Sequence, residues 1–433
     1  PIIDGGVKKE DGYDVYEEGK ANGYFCKDGN GEDFIIGVWP GKCCFPDMLD
    51  DKARQWFGDK YRILIDKGID GFWNDMNEPA IFYSEKHLKE VFEKMEDYKK
   101  MNLGVNTFFE MTGMIGGICN NPEDYASFYH NYKGKRYRHD QVHNLFGYYM
   151  TRAASEAFER YVPEKRILLF SRASYIGMHR FGGIWQGDNA SWWSHLKMNV
   201  KMMPSLNMCG FLYTGADVGG FGADATEDLV LRWLEFAVFT PLLRNHSARG
   251  TRRQEVYCFS HVEKFADVIG VRYQLLPYIY SEYMKAALRN TMMFNPLAFL
   301  YGEDALARQV EDQLFIGENV MVAPVCEQNV SGRVVYFPER MKQLVFKNGV
   351  VEEGKVYEKG FSYVEMPMGT VHVFLREGYL FPVAKGGKCV EDVDFEDLTT
   401  YSFGEEIKPY EYYLDDGETK DFTIESHIRI LSC

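Results

Sequence analysis

The feature that most constrains the fold is an alternation, over the first 300 residues, of short apolar β-type runs with segments of helical periodicity. Helical spacing is clearest in Tyr149–Tyr161 and Glu227–Val238. Strands that alternate with helices are joined by crossovers and form a parallel sheet, so the pattern predicts an α/β fold of the (β/α)8 TIM barrel type. Six strands are predicted, at Pro1–Ile3, Gly71–Trp73, Ile167–Phe170, Gly183–Trp185, Phe211–Tyr213 and Asn295–Phe299.

The pattern changes beyond about residue 312, where short strands follow one another with turn residues between them. Such runs are typical of antiparallel β-sandwich domains. We therefore expect a barrel over residues 1–311, a proximal β domain over 312–385 and a distal, acidic β segment over 386–433. The predicted strands of the β region are Gln313–Val325, Arg333–Phe337, Gln343–Lys347, Val356–Met366 and Val371–Leu380.

An insertion is predicted within the barrel at about residues 83–144. It begins with an amphipathic helix over Tyr83–Gly104, in which apolar residues recur at helical spacing among Glu and Lys;. The insertion could roof a pocket, or its helix could pack without touching a substrate.

Composition excludes several classes of partner. The net charge of −15 argues against nucleic acid, which needs clustered Lys and Arg;. Apolar runs long enough to span a membrane are missing from the sequence;. The nine cysteines are odd in number and irregularly spaced without a Cys-x-x-Cys, which favours a reducing, cytoplasmic compartment over a zinc ribbon or a disulfide framework;. The sequence does not indicate an oligomeric state.

Acidic residues follow the predicted strands. Asp75 and Glu78 come directly after Gly71–Trp73, and further acids occur in Gly183–Asn189 and Gly215–Phe221. Burying carboxylates is costly unless they are paired, so these acids point to chemistry, although Asp75 could instead cap a helix. A fourth polar stretch is Arg244–Ser247.

Tryptophan next to aspartate at several strand ends indicates a carbohydrate site. Sugars offer apolar ring faces for stacking and hydroxyls for paired hydrogen bonds. Two separated carboxylates supply what the cleavage of a glycosidic bond requires, namely a group that stabilises the cation-like carbon and a proton donor for the departing oxygen.

The motifs also resemble a known family, glycoside hydrolase family 31, and within it the retaining α-glucosidases. The resemblance rests on four motifs in the family's order: Trp73-Asn-Asp-Met-Asn-Glu78, Trp185-Gln-Gly-Asp-Asn189, Gly215-Ala-Asp-Val-Gly-Gly-Phe221 and Arg244-Asn-His-Ser247. It extends from Pro1 to about Pro382. It implies a retaining, exo-acting α-glucosidase that acts on α-glucoside oligosaccharides without a cofactor or metal.

The resemblance also implies roles for individual residues. Asp75 would be the nucleophile, Asp188 the general acid/base, and Glu78 a residue that orients or electrostatically tunes the site. The implied substrate-binding residues are Trp39, Trp73, Met76, Arg172, Trp185, Asp217, Phe221 and His246. Glu78 could instead form an ion pair that holds its loop, the aromatic residues could be core residues, and Arg244 could be a structural clamp.

The Trp-x-Asp-Met-Asn-Glu form resembles the α-glucosidase branch, whereas the α-xylosidase branch typically has Lys-Thr-Asp-Phe-Gly-Glu. Gln186 departs from the Thr or Leu of many relatives, which leaves the linkage preference open. Other activities of the family, such as transglucosylation, α-xylosidase or lyase cleavage, are alternatives. A metal hydrolase using Asp75, Glu78, Asp188 and His246 would lack a recognisable metal-binding spacing, and an inactive sugar-binding fragment would not need both acids.

A family member should have a β domain and two barrel strands before the segment that begins at Pro1. Only six strands are counted here, and six strands would leave two open sheet edges. We therefore expect a missing N-terminal segment of the same protein to complete the barrel and to contribute a further sugar-binding acid.

Overall fold

The computed structural model describes residues 1–432, which cluster into two compact units. The first unit is Pro1–Ile184 and the second begins at Trp185. None of the helices in the described part of the chain combines the length and the apolar character needed to cross a membrane.

The first unit contains eleven strands and eight helices. Its strands are β1 (Ile2–Asp4), β2 (Val7–Lys8), β3 (Lys27–Asp28), β4 (Ile35–Val38), β5 (Gly41–Cys44), β6 (Gly71–Asp75), β7 (Tyr83–Ser84), β8 (Phe128–Tyr132), β9 (Lys135–Arg138), β10 (Leu168–Ser171) and β11 (Gly183–Ile184). Its helices are α1 (Asp14–Ala21), α2 (Asp51–Asp59), α3 (Arg62–Ile65), α4 (Glu85–Tyr98), α5 (Val105–Gly116), α6 (Pro122–Tyr125), α7 (His139–Val142) and α8 (Leu145–Tyr161).

A four-stranded sheet of order β1-β6-β10-β11 carries the first part of the site. All its pairings are parallel, with Asp4 opposite Asp75 and Ser171 opposite Asn74. The carboxyl ends of these strands therefore lie at one edge, as predicted for the first four strands. Strand β6 begins at Gly71 and extends two residues further than predicted, so Asp75 is its last residue.

Helices α2 and α8 pack together and against the hydrophobic core of the first unit. Asp50 caps α2, since its carboxylate accepts hydrogen bonds from the backbone of Lys52 and Ala53;. A Cβ at Gly58 would lie 2.4 Å from the carbonyl oxygen of Ala153, so only glycine permits this close approach of the two helices;. The predicted helix over Tyr149–Tyr161 is confirmed and begins four residues earlier.

The predicted insertion contains α4, α5, α6, α7 and the β8–β9 hairpin. The amphipathic helix spans Glu85–Tyr98, shorter than the predicted Tyr83–Gly104. Ser84 fixes its start, because the hydroxyl of Ser84 accepts a hydrogen bond from the backbone N–H of His87;.

The second unit contains fourteen strands and five helices among the described residues. Its strands are β12 (Asp217–Val218), β13 (Arg244–Asn245), β14 (Phe294–Pro296), β15 (Leu314–Ile316), β16 (Val320–Val322), β17 (Gly332–Phe337), β18 (Met341–Lys347), β19 (Val350–Tyr357), β20 (Gly360–Glu365), β21 (Val371–Arg376), β22 (Leu380–Ala384), β23 (Leu398–Ser402), β24 (Tyr410–Tyr413) and β25 (Ile428–Leu431). Its helices are α9 (Trp193–Met208), α10 (Glu227–Ala237), α11 (Val262–Arg289), α12 (Leu297–Leu300) and α13 (Ile424–His427).

Two strand predictions for this part were wrong. The parallel pair is β12–β13, at Asp217–Val218 and Arg244–Asn245, and Phe211–Tyr213 is not a strand. The apolar run at Phe211–Tyr213 indicates proximity to the core but does not decide where backbone pairing begins. The last predicted strand, Asn295–Phe299, is replaced by β14, which pairs antiparallel with β15, and α12 begins directly after Pro296.

The parallel strands among residues 1–432 form a four-stranded and a two-stranded sheet and no closed barrel, whereas the sequence predicts a (β/α)8 barrel of which this chain supplies only six strands. The six parallel strands agree in number with that prediction, although two of them lie elsewhere in the sequence.

The β-rich part of the second unit contains an antiparallel six-stranded sheet of order β14-β15-β16-β21-β18-β19 and the β17–β20 hairpin. Residues of both contribute to one hydrophobic cluster that includes Phe315, Phe337 and Phe374. The predicted strand Gln313–Val325 is two strands, because the chain turns at Gly317, whose φ is 60°;. The predicted distal segment contributes β23, which pairs with β22 of the predicted proximal domain, and the pair β24–β25, and residue 433 lies outside the described residues.

The eight cysteines within residues 1–432 form no disulfide. Cys26, Cys43, Cys44 and Cys326 are buried, and Cys119, Cys209, Cys258 and Cys389 are exposed. Burial raises the pKa of Cys43, Cys44 and Cys326 to about 12 and holds that of Cys26 well above its ordinary value;.

Candidate active site

Asp75 occupies the last position of β6, at the carboxyl edge of the parallel sheet. Its side chain is 17% exposed, and its Oδ1 accepts a hydrogen bond of 2.8 Å from the backbone N–H of Met76. The preceding Asn74 is buried and accepts a 2.6 Å hydrogen bond from the hydroxyl of Tyr61. The hydrogen bond to Asn74 therefore fixes the end of the strand, while the carboxylate of Asp75 stays accessible.

Arg172, which follows β10, joins the two acids of the first motif. Its Nε donates to Glu78 Oε1 at 2.6 Å, and its Nη1 lies 3.4 Å from Asp75 Oδ1 and 3.2 Å from the sulfur of Met76. The guanidinium thus holds Glu78 tightly and Asp75 loosely. The ion-pair role considered for Glu78 is present in this geometry.

The turn after β6 is fixed by Asn77, which is completely buried. Its amide donates to the hydroxyl of Ser171 at 2.8 Å and accepts from the backbone N–H of Ala173 at 2.9 Å. Met76 has a φ of 54°, a left-handed conformation that costs a non-glycine residue about 1 kcal/mol or more;. The Asn77 hydrogen bonds hold the turn in this conformation, which presents Met76 next to Arg172.

Asp4 is a third carboxylate at this edge, and the sequence-based assignment of roles omitted it. Burial, together with the smaller effect of the negative charges of Asp75 and Glu78, raises its pKa to about 6 despite the opposing effect of a hydrogen bond from the backbone of Gly6;. The signal was available in the sequence, since Asp4 directly follows a predicted strand as Asp75 does.

The two tryptophans assigned to this part differ. Trp73 stacks on Phe170 with ring centroids 5.8 Å apart and an interplanar angle of 16°. Trp39 lies in the turn between β4 and β5, is 73% exposed, and contacts the edge of Phe82. Trp39 therefore offers an open aromatic face, which is not the environment of a core residue.

In the second unit, Asp217 and Arg244 lie opposite each other in the β12–β13 pair. Arg244 Nε donates to Asp217 Oδ1 at 2.6 Å, and the two side chains are 18% and 0% exposed. The guanidinium of Arg244 also lies over the buried ring of Trp185, 5.3 Å from its centroid;. These contacts are those expected if Arg244 is the structural clamp considered from the sequence.

Asp188 is exposed and lies in a loop that is tied down on both sides. Before it, the backbone N–H of Gln186 donates to the carbonyl of Gly215 at 2.9 Å. After it, the carbonyl of Asn189 accepts from Phe221 and Gly222 at 2.7 and 2.8 Å. A Cβ at Gly220 would lie 2.6 Å from Ser191 Cα, so glycine is required for this close approach.

Phe221 and His246 stack on each other, with ring centroids 5.3 Å apart at 27°. The side-chain amide of the buried Gln254 donates hydrogen bonds to the carbonyls of Val218, at 3.2 Å, and Gly220, at 2.9 Å. It also lies 3.3 Å from the carbonyl of His246. Gln254 is a positioning residue that the sequence analysis missed, because nothing in its local pattern distinguishes it.

The structure therefore groups the predicted residues within each unit. The first unit brings together Asp75, Met76, Glu78 and Arg172 beside Trp73, whereas Trp39 lies in a separate hairpin turn. The second unit brings together Trp185, Asp217 and Arg244, places Phe221 against His246, and holds Asp188 in the loop linked to Phe221.

A cluster of possible metal-binding atoms lies elsewhere in the first unit. The described residues contain one group of three such side chains within 4.8 Å of one another, namely the buried Cys26, Asp47 and His130. It shares no residue with the metal-hydrolase alternative.

Comparisons with known proteins identify the family. Residues 1–282 match the glycosyl hydrolases family 31 TIM-barrel domain, and residues 290–381 match the glycosyl hydrolase family 31 C-terminal domain. The chain belongs to glycosyl hydrolase family 31, as the motifs indicated.

The curated relatives include α-glucosidases. The chain is 31% identical to alpha-glucosidase 2 of Bacillus thermoamyloliquefaciens over 99% of this chain and 50% of that protein. It is 30% identical to an alpha-glucosidase of Saccharolobus solfataricus over 88% of this chain and 52% of that protein. The chain thus spans about half the length of these relatives.

Solved structures show the same fold. A glucosidase II alpha subunit superimposes with a TM-score of 0.80 at 24% identity, over 99% of this chain and 43% of that one. A Flavobacterium johnsoniae family 31 dextranase, complexed with glucose, gives a TM-score of 0.77 at 23% identity over 97% of this chain and 48% of that one. At these identities the likeness concerns the fold alone.

Proposed function

We propose that this chain carries the catalytic residues of a retaining, exo-acting α-glucosidase, with Asp75 as nucleophile and Asp188 as general acid/base. The observation that carries the proposal is the position of Asp75 at a parallel strand end, partly exposed and only loosely held by Arg172. A nucleophile needs this combination, because a carboxylate engaged in a short ion pair would have to give up that bond before it could attack.

In the first step, Asp75 attacks the anomeric carbon of the terminal glucose while the carboxylic acid of Asp188 protonates the departing oxygen. In the second step, the carboxylate of Asp188 takes a proton from water, and the water displaces Asp75 from the sugar. Arg172 and Glu78 orient Asp75, and the accessible loop position of Asp188 suits a group that must meet both a leaving sugar and water.

The names of the relatives support glucose as the sugar that is released. Asp217, Arg172 and His246 would bind its hydroxyls, and Trp39, Trp73, Met76, Trp185 and Phe221 would contact its apolar faces. We propose α-linked gluco-oligosaccharides as the substrates.

Hydrolysis of aryl α-glucosides and a panel of α-linked glucose disaccharides tests the proposal, with the anomeric form of the first product followed by NMR. We expect α-glucose to appear first. The Asp188→Ala variant should lose far more activity on disaccharides than on activated aryl glucosides, which need little protonation of the leaving group. Initial release of the β-anomer would contradict the retaining mechanism.

A further inference from the structure

A buried row of hydrogen bonds runs from Asp47 through three histidine rings in the first unit. Asp47 Oδ1 lies 2.8 Å from His130 Nδ1, His130 Nε2 lies 2.9 Å from His139 Nδ1, and His139 Nε2 lies 2.8 Å from His143 Nδ1. Asp47, His130 and His139 are 3%, 0% and 0% exposed. His143, at the far end of the row, is half-buried.

The carboxylate at the inner end gives this row a direction. An ionised carboxylate only accepts hydrogen bonds, and Asp47 also accepts one from the backbone of Asn131 at 2.7 Å;. His130 must therefore carry its proton on Nδ1, and its Nε2 accepts from His139. By the same rule His139 and His143 carry their protons on Nδ1, which leaves Nε2 of His143 as a hydrogen-bond acceptor.

The surroundings favour the neutral form of His139 and His143, as this pattern requires. Burial and the neighbouring rings of His130 and His143 hold the pKa of His139 far below its ordinary value;. Burial also lowers the pKa of His143, against an opposing effect of Glu78. Of the charged groups near His143, Glu78 acts on its ring and Asp140 lines the same pocket.

The row ends at a pocket of about 700 Å³. His143, Tyr125 and Tyr175 are among its lining residues. The Tyr125 ring lies 5.0 Å from that of His143, and its hydroxyl donates to the carbonyl of Pro79 at 3.0 Å. Within residues 1–432, the ring of His143 makes its only hydrogen bond at Nδ1, so Nε2 is available on the side away from His139.

We propose that this pocket is a leaving-group sugar subsite in which His143 Nε2 accepts a hydrogen bond from a sugar hydroxyl, its tautomer fixed by Asp47 through His130 and His139. This inference rests on the proposed exo-α-glucosidase function. An exo-acting enzyme cleaves off the terminal sugar, and its substrate does not extend beyond that sugar on the non-reducing side. Any further sugar subsite must therefore bind the leaving group. The ring faces of Tyr125 and Tyr175 provide the apolar contact that such a sugar needs.

The same contacts explain the close approach of Cys26, Asp47 and His130 without a metal ion. The shared nitrogen, His130 Nδ1, is used in the 2.8 Å hydrogen bond to Asp47, and the thiol of Cys26 donates to the carbonyl of Pro46 at 3.6 Å.

The tautomers can be read directly by long-range ¹H–¹⁵N NMR of protein labelled with ¹⁵N-histidine, with assignment by single His→Gln variants. We expect His130, His139 and His143 to be neutral Nδ1–H tautomers at pH 7. An Nε2–H tautomer at His143, or a Zn²⁺-induced loss of the His130 Nδ1–H signal at stoichiometric metal, would overturn the proposal.

Binding is tested by titrating maltose, nigerose and isomaltose into the labelled Asp75→Ala variant, which holds them uncleaved. We expect at least one of them to shift the Nε2 resonance of His143. This readout does not depend on turnover, so it separates the subsite from the proposed function. Failure of all three disaccharides to shift the resonance overturns the subsite, whereas a wild type that cleaves no α-glucoside overturns the function.

Kinetics provide the second measurement. Loss of one hydrogen bond in His143→Ala should lower kcat/KM for the preferred disaccharide about 3- to 10-fold, and change that for p-nitrophenyl α-glucoside less than about 2-fold. Asp47→Asn should act in the same direction, because an amide can also donate and no longer fixes the tautomers. Asp66→Asn, which removes an equally charged but exposed carboxylate, is the matched control. Equal losses on both substrates in His143→Ala would overturn the assignment to the leaving-group side.

Discussion

Asp75 in the first unit and Asp217 in the second both lie in parallel strands, as the last residue of β6 and the first residue of β12, and they are held very differently. Each is at a parallel strand, and each has an arginine from a neighbouring strand segment beside it. Arg244 lies 2.6 Å from Asp217, whose carboxylate is fully buried. Arg172 lies 3.4 Å from Asp75 and forms its short ion pair, of 2.6 Å, with Glu78 instead. The difference separates a carboxylate whose charge is balanced by a short, buried ion pair from one that remains available to react.

The largest expected effect is on catalysis at Asp75. Replacement by Ala removes the proposed nucleophile and should lower kcat by about 10⁴-fold or more. Because Asp75 makes only a weak ion pair, the free energy of unfolding should change by less than about 1 kcal/mol. Steady-state hydrolysis of an aryl α-glucoside and urea unfolding measure the two quantities. Retained turnover in the variant would remove the distinction between the two aspartates.

Asp217→Asn, unlike Asp75→Ala, should strongly lower the free energy of unfolding. It leaves the largely buried guanidinium of Arg244 without its charged partner, and we expect a loss of about 3–5 kcal/mol in the free energy of unfolding. The matched control is Asp224→Asn, because Asp224 and Arg252 form an exposed pair at 4.0 Å in the same unit. That control should cost less than about 1 kcal/mol. Equal losses in urea unfolding would show that burial does not distinguish the two pairs.

Asp4 tests the charge balance around Asp75. Its pKa of about 6 in the folded protein lies above the ordinary value of 3.8 for an aspartate, so the native state binds more protons than the unfolded state between these two pH values;. Stability associated with Asp4 is therefore present below pH 4 and lost as pH rises through 6, by at most about 3 kcal/mol. Asp4→Asn should flatten this part of the profile in urea unfolding between pH 4 and 7. A slope that is unchanged in the variant would assign the pH dependence to other groups.

The smallest effect is expected at Gln254, whose uncharged amide supports the loop after Asp217. Gln254→Leu removes hydrogen bonds to the carbonyls of Val218 and Gly220 and should cost about 1–3 kcal/mol of stability;. Gln309→Leu, at an exposed position of the same unit, is the control. If the two variants melt alike, the Asp217–Arg244 pair alone holds this region.

The contrast also shows what could be predicted from the sequence. Asp75 was identified because an acid directly follows a run of buried β-type residues, and the long helix α8 was identified because its periodicity extends over many residues. Strands β12 and β13 were missed because each has only two residues. The position of these strands depends on contacts between residues that are distant in the sequence. One of them is the close approach of Gly215 to Leu242, at which a Cβ on residue 215 would lie 2.0 Å from the carbonyl oxygen of Leu242. Gln254 was missed for the same reason, since its role appears only when separated carbonyls converge on it.

The distribution of thiols makes this protein suitable for site-selective dye labelling. Only the thiolate reacts with maleimides, and the raised pKa values of Cys26, Cys43, Cys44 and Cys326 add to their burial in protecting them;. Fluorophores should therefore attach to the exposed Cys119, Cys209 and Cys258, whereas a hydrogen bond with Glu391 raises the pKa of the exposed Cys389. Cys119 belongs to the first unit and the other three to the second. Retaining Cys119 with Cys209 or Cys258, and replacing the other exposed cysteines and Cys433, would give a donor–acceptor pair for single-molecule energy transfer while the native core remains unmodified.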